Sequence, residues 1–138
     1  MKSNTKAKAA GFKVSDFMTK SPHCIDPSLT LNQARQRLDE YRVRHLPVRH
    51  GGKVMGMLTD RDLGLLLSLE KIDAAHTTVE EVMVPDPFIV RADEPLSQVA
   101  GTMAERHIGS AVVCDSAGQV LGIFTATDGL KALRELSG

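Results

Sequence analysis

Gly56-Met57-Leu58-Thr59-Asp60-Arg61-Asp62 returns 66 positions later as Gly122-Ile123-Phe124-Thr125-Ala126-Thr127-Asp128. Around this phrase the chain says the same thing twice. Residues 14–63 and 79–129 share one pattern, and each copy closes on Gly-x-x-Thr-x-x-Asp. Met18 answers Met83, Pro22 answers Pro87, Leu31 answers Leu96 and Val48 answers Val113, each offset by 65. The offset becomes 66 by the closing phrase, so one residue has been gained near Asp115-Ser116-Ala117-Gly118. That stretch is turn-like, and turns accept insertions at little cost. A repeat of this length predicts two like units packed on each other, with equivalent sites near their junction. Such an arrangement points to a ligand-sensing module more than to a catalyst.

Bulk properties narrow the function further. The 138 residues fit one compact domain or two small, mutually dependent halves. A chain of this size hides roughly two-thirds of its unfolded surface, whereas either half alone is marginal. The 17 basic and 17 acidic side chains cancel, so no global field draws in nucleic acid or an anionic membrane. Lys2, Lys6, Lys8 and Lys13 precede the first acid, Asp16, and read as a solvated tail. The longest apolar runs, such as Leu65-Leu66-Leu67, are far too short to span a membrane. No apolar run follows the first lysines, so a secretory signal is not expected. Cys24 and Cys114 fall near strand positions and read as small buried hydrophobes of a reducing compartment, with the cytoplasm as default.

The periodicity predicts the elements. Residues 1–13 are tail, 14–70 the first repeat, 71–78 a linker and 79–138 the second repeat. Val14–Met18 reads as a short helical entry and Pro22–Ile25 as extended. Leu31, Ala34 and Leu38 recur at helical spacing, with Thr30 and Gln33 placed for a capping box and an end near Tyr41. Leu46–Arg49 and Val54–Leu58 are strands joined by a turn at Gly51-Gly52. Thr59 or Asp60 then caps a helix carrying Leu63, Leu66 and Leu67, which extends through much of 64–78. The second half replays this order. Phe88–Val90 is extended, and Leu96, Val99 and Met103 stripe a helix behind Pro95. Two strands surround Val113 and Ile123. Asp128 opens a last helix whose apolar stripe is Leu130, Leu133 and Leu136. Each half is β-α-β-β-α, an α+β (α/β-type) fold. The strands around Val48 and Val113 are apolar on both faces, which suits packing between halves.

These residues resemble a tandem pair of CBS domains, named after cystathionine β-synthase. The matching phrases are Asp16-Phe17-Met18-Thr19, His45-Leu46-Pro47-Val48 and the first closing phrase. In the second copy they are Val82-Met83, Ser110-Ala111-Val112-Val113 and the second closing phrase. No one phrase is specific; two ordered sets, correctly spaced over about residues 14–135, carry the resemblance. It implies a stand-alone regulatory pair packed with pseudo-twofold symmetry. Its two clefts would take adenosine-containing ligands such as AMP, ADP, ATP, NAD or S-adenosylmethionine. Such pairs are not enzymes and often form a flat homodimer, and the protein partner they regulate is unknown here.

The resemblance also implies roles. The Asp closing each phrase would accept hydrogen bonds from the two ribose hydroxyls, as a carboxylate can from a vicinal diol. The Thr three residues earlier sits at a helix start, where amides favour a phosphate. Interleaving would set Thr125 and Asp128 against Ser21, Asp26, Val43, Arg44 and His45. It would set Thr59 and Asp62 against Asp86, Arg91, Ile108, Gly109 and Ser110, with Arg61 and His107 nearby. Thr127 counts with the second phrase. Arg44-His45 suit phosphate and Gly109-Ser110 are uncharged, so unequal affinity is expected, with the Asp128 cleft the better phosphate site.

Plainer readings stand beside these. Thr-x-x-Asp also caps helices, and an exposed helix start serves both purposes. Arg44 and His45 also read as a charged strand edge. The histidines have no metal-ligand spacing, and no nucleophile elbow, Walker loop or His-Glu-x-x-His occurs. A second function class is a ligand-independent dimerisation adaptor. Nucleic-acid binding is disfavoured by neutral charge and by one Tyr, four Phe and no Trp.

Overall fold

The computed structural model of the protein describes residues 11–138. Lys2, Lys6 and Lys8 of the expected tail lie outside the described residues. A short 3₁₀ turn at Val14–Asp16 leads into β1 (Thr19–Lys20). Helix α1 (Leu31–Tyr41), β2 (His45–His50), β3 (Lys53–Thr59) and α2 (Asp60–Leu67) follow. The second repeat supplies α3 (Val79–Val82), β4 (Val84–Pro85), β5 (Ile89–Arg91), α4 (Leu96–Arg106), β6 (Ser110–Cys114), β7 (Val120–Thr125) and α5 (Ala126–Ser137).

Local chemistry explains the helix limits. Thr30 accepts from the Gln33 amide at 3.2 Å while Gln33 answers the Thr30 amide at 2.9 Å, closing the expected capping box. Helices α1 and α4 both end on a non-glycine left-handed residue, Arg42 (φ 55°) and His107 (φ 54°). Ser21 (φ 49°) and Asp86 (φ 53°) form a second matched pair, so the repeat extends to the backbone torsions.

The chain divides into two compact units whose boundaries differ from those of the repeats. The central unit is His23–Pro87, and the terminal unit joins the described residues up to Pro22 to Phe88–Gly138. Each repeat therefore sends its opening segment to the other repeat's sheet. The terminal sheet runs β5-β6-β7-β1. The central sheet runs β2-β3-β4, with Ile25 bridging Val48 in the place that β5 holds in its twin.

The exchange is pinned twice over. The Val14 amide donates to Glu94 and the Leu96 amide to Phe12, both at 2.9 Å. In the central unit the Val79 amide donates to Leu29 at 2.8 Å and the Leu31 amide to Thr77 at 3.0 Å. Val14 thereby joins the core of Val90, Leu96, Val99, Met103, Val113 and Phe124. Val79 joins that of Ile25, Leu31, Leu38, Leu46, Val48 and Leu58. The glycine of each closing phrase permits the approach. A Cβ on Gly122 would stand 2.5 Å from the Met18 sulfur and 2.8 Å from the Thr19 carbonyl; one on Gly56 would stand 2.6 Å from the Met83 sulfur and 2.7 Å from the Val84 carbonyl.

Four expectations change. Helix α2 stops at Leu67, because the Ser68 hydroxyl bonds the Leu65 carbonyl and Asp73 bonds the Ala75 amide, drawing the chain into turns. Thr125, not Asp128, caps α5, and Asp128 stands at its third position. The inward face of α5 is Asp128, Ala132 and Leu136, leaving Leu130 and Leu133 exposed at 67% and 51%. Of Pro22–Ile25, only Ile25 makes a β-bridge, whereas Cys24 is half-buried and Cys114 is buried.

Gly122→Ala is expected to cost about 1–3 kcal/mol, since a backbone carbonyl cannot yield as a side-chain end can. Denaturant midpoints of variant and parent measure it, and an unchanged midpoint refutes the close approach as a constraint.

Candidate functional site

Each unit builds the same backbone frame at the end of its central hairpin. In the central unit Thr59 closes β3, and its hydroxyl accepts from the Asp62 amide at 3.1 Å. The antiparallel register sets His45 opposite Thr59, and the Asp60 amide donates to the Arg44 carbonyl at 2.8 Å. Opposed residues of an antiparallel pair share a face, so His45 and Thr59 point to the same side. On the other flank β4 pairs Val84 with Met57 and Pro85 with Gly56, and Asp86 beyond it is left-handed and lies toward the hairpin turn, away from Thr59. Strain of this kind, about 1–3 kcal/mol, persists where surrounding structure fixes it and is common at binding sites.

The terminal unit repeats the frame with other side chains. Ser110 stands opposite Thr125, and the Ala126 amide donates to the Gly109 carbonyl at 3.0 Å. Ser21 arrives through β1, its amide donating to the Leu121 carbonyl at 3.0 Å. Thr127 is exposed on the first turn of α5, as Arg61 is on α2.

Ser21 follows Lys20, which pairs with Gly122, and Asp86 follows Pro85, which pairs with Gly56, so both lie toward the hairpin turn of their unit and away from Thr125 and Thr59. Within each unit, Arg44-His45 and Gly109-Ser110 flank the Thr of their own repeat, since a hairpin sets the start of its first strand against the end of its second. In the central unit the basic pair therefore stands beside Thr59. Val43 and Ile108 follow the left-handed caps, and their amides bond the Leu38 and Met103 carbonyls at 3.3 and 2.9 Å; both pack on their unit's core.

Asp26 and Arg91 occupy equivalent positions at the opposite end of each sheet from these threonines. The Arg49 amide bonds the Ile25 carbonyl, and Arg91 pairs with Cys114. Asp26 is already engaged: the Ser28 hydroxyl and amide donate to it at 2.6 and 2.9 Å, and His50 lies 3.3 Å away. These bonds, Ser28 first, hold its carboxyl down at about 2 from an ordinary 3.8.

The two closing aspartates differ. Asp128 is only 7% exposed. Its carboxylate accepts from the Thr125 amide at 2.9 Å, from the Thr125 hydroxyl at 3.1 Å and from the Thr19 hydroxyl at 3.1 Å. Asp62 is less buried, and among the described residues its carboxylate accepts no hydrogen bond. Sequence reading missed Thr19. The signal was present, since the position 65 later is Val84, which has no hydroxyl. It also missed Arg35, which binds Asp60 at 2.6 Å and Asp39 at 2.8 Å, tying α1 to the start of α2. No helix among the described residues is long and apolar enough to cross a membrane.

Comparison with known proteins identifies the frame. The family model for the CBS domain matches residues 14–66 and again 79–135, and the chain belongs to that family. It is 30% identical over 132 residues to a CBS domain-containing protein of Dictyostelium discoideum, covering 87% of this chain and 90% of that protein. It is also 30% identical over 116 residues to the L-aspartate semialdehyde sulfurtransferase of Methanocaldococcus jannaschii, but it spans only 22% of that protein's length. It likewise spans only 24% of a homoserine O-acetyltransferase of Methanohalobium evestigatum. Among solved structures it resembles CBSX2 in complex with AMP, with a TM-score of 0.78 and 30% identity over 93% of this chain and 100% of that one. It also resembles the CBS domain pair of protein MJ0100 in complex with 5-methylthioadenosine and S-adenosyl-L-methionine. There the TM-score is 0.79 and the identity 27%, over 90% and 97% of the two chains.

Two measurements check these assignments. Asp128→Ala should lower unfolding stability by roughly 1–2 kcal/mol, through the lost capping bonds to Thr125 and the lost bond to Thr19, whereas Asp62→Ala stays within about 0.5. Equal losses contradict the difference in their environments. Carbon-detected NMR should find Asp26 half-protonated near pH 2. A depressed carboxyl stabilises the folded state above its ordinary pKa of 3.8, and that contribution fades as pH falls through about 2. In Ser28→Ala the midpoint should move up toward 3.8, the ordinary value.

Proposed function

We propose that this CBS-domain chain is a regulatory module, not a catalyst, which binds an adenosine-containing ligand where the Thr-x-x-Asp of a closing phrase starts a helix. The ligand class is AMP, ADP, ATP, NAD or S-adenosylmethionine. One observation carries the reading: a Thr-capped helix start at the end of the central hairpin, with an Asp three residues on, recurs in both units. Helix amides and the Thr hydroxyl suit a phosphate or carboxylate, and the Asp suits a ribose diol. CBS pairs of about 30% identity are known with AMP, and others with S-adenosylmethionine, which favours the same class.

The module acts as a homodimer in this reading. Leu65 and Leu69 beside α2 are exposed at 61% and 54%, and Leu130 and Leu133 on α5 are similarly bare. Exposed leucines clustered on a helix favour an interface. The same observation supports a second reading, a ligand-independent dimerisation adaptor. Regulation requires the ligand to bind one arrangement better than another, since equal affinity shifts nothing.

Thermal unfolding with AMP, ADP, ATP, NAD, S-adenosylmethionine and GTP discriminates the two. A ligand at 100 times its dissociation constant adds about 2.7 kcal/mol of stability, readily seen as a rise in Tm. At least one adenosyl ligand should raise Tm while GTP does not. No shift with any of them leaves the adaptor.

A further inference from the structure

We propose that Met18 and Met83 are a matched pair of oxidation sites, where a hydroperoxide converts each thioether to a sulfoxide and loosens the opening segment of each repeat from the sheet that holds it. The inference rests on packing within each unit and does not depend on the adenosine reading.

The first argument is where the two sulfurs lie. A Cβ on Gly122 would stand 2.5 Å from the Met18 sulfur and 2.9 Å from its Cγ, and one on Gly56 would stand 2.6 and 2.9 Å from the same atoms of Met83. Each sulfur therefore rests on the backbone of the strand that its segment joins, with no side chain between. Both side chains also pack against the core of their unit. Oxidation turns a flexible apolar side chain into a polar one. Burying a polar group costs free energy unless a donor meets it, so the oxidised side chain is drawn toward water and away from the glycine.

The second argument is what the methionines hold. Strands β1 and β4 are two residues long and lie at the edges of their sheets. The Met18 amide donates to the Val14 carbonyl at 3.0 Å, and the Met83 amide to the Val79 carbonyl at 2.8 Å. Val14 and Val79 are fully buried. A methionine that leaves its glycine therefore pulls on the valine that completes the core. An edge strand this short lies at the low-stability end of a fold, and its brief openings let an oxidant reach a half-buried sulfur.

The other methionines of the two units are placed differently. Met57 and Met103 are buried. Met55 is half-buried, but it sits at the bulge of the β2–β3 hairpin and belongs to the hairpin itself.

The step balances. A sulfur lone pair attacks one oxygen of the hydroperoxide, the S–O bond forms as the O–O bond breaks, and water or an alcohol leaves. The sulfur loses two electrons and the peroxide gains them. Sulfoxide reductases reverse the change, which makes the sites resettable.

Peptide mass mapping and thermal unfolding of the full chain, followed through a hydrogen peroxide time course, test the proposal. Met18 and Met83 should oxidise ahead of Met57 and Met103, and Tm should fall by about 4 °C or more as they do. Methionine sulfoxide reductase should restore it. Met18→Leu/Met83→Leu, a nearly volume-conserving exchange, should keep its Tm through the same treatment although it retains Cys24 and Cys114. Should that variant not fold, Met55→Leu/Met57→Leu/Met103→Leu keeps the pair and should lose as much Tm on oxidation as the parent. A Tm loss that persists without Met18 and Met83, or is absent when they are kept, overturns the proposal. So does oxidation of the pair no earlier than that of the buried methionines.

Discussion

The structure depends on a close contact between backbone and backbone. At Gly122 and at Gly56 the sheet carries no side chain, and the opening strand of the other repeat lies against it with a methionine sulfur where a Cβ would be. Everything downstream needs that contact. It completes the edge of each sheet, and it carries Val14 and Val79 into cores that lack a residue without them. It also holds Ser21 and Asp86 in a conformation that non-glycine residues adopt only under constraint. Neither repeat holds its own opening segment, so the smallest complete unit draws on both. That is the physical reason the two copies travel in one chain.

On this shared frame the side chains of the two units have diverged. Leu46, Leu58 and Leu63 in the central core become Ala111, Phe124 and Gly129 in the terminal one. The larger Phe124 fills what the smaller neighbours vacate, and its ring end would lie 3.7 Å from a Cβ on Gly129. Volume-conserving exchanges of this kind leave a frame intact. The rims were then open to specialise. Thr19 against Val84 and Arg44 against Gly109 are single substitutions at equivalent backbone sites, yet they set a satisfied carboxylate apart from an open one and a basic flank apart from a neutral one.

Much of the fold was legible because its signals are local. Thr30 and Gln33 write a capping box, Gly51-Gly52 writes a turn with φ of 58° and 79°, and Leu96, Val99 and Met103 write a buried stripe. The leucines of α5 misled, because Leu130, Leu133 and Leu136 recur every three residues. A helix buries one face at steps of 3.6, and here that face includes the polar Asp128. A carboxylate facing inward cannot be inferred from apolar spacing; Thr125 holds it locally, and one of its donors, Thr19, is more than a hundred residues away in the chain.

The sequence by itself determined that two like units exist, which elements each contains, which family they belong to and which residue types sit at the two helix starts. Repeats, caps and periodicities are properties of neighbours along the chain. Only the tertiary structure decided which residues meet. It crossed the opening segments over, set Arg44-His45 beside Thr59, carried Asp26 and Arg91 to the far ends of their sheets and gave Asp128 the Thr19 hydroxyl. Strand register and the pairing of distant edges are settled by burial and by backbone hydrogen bonds between remote segments, and no local pattern records them.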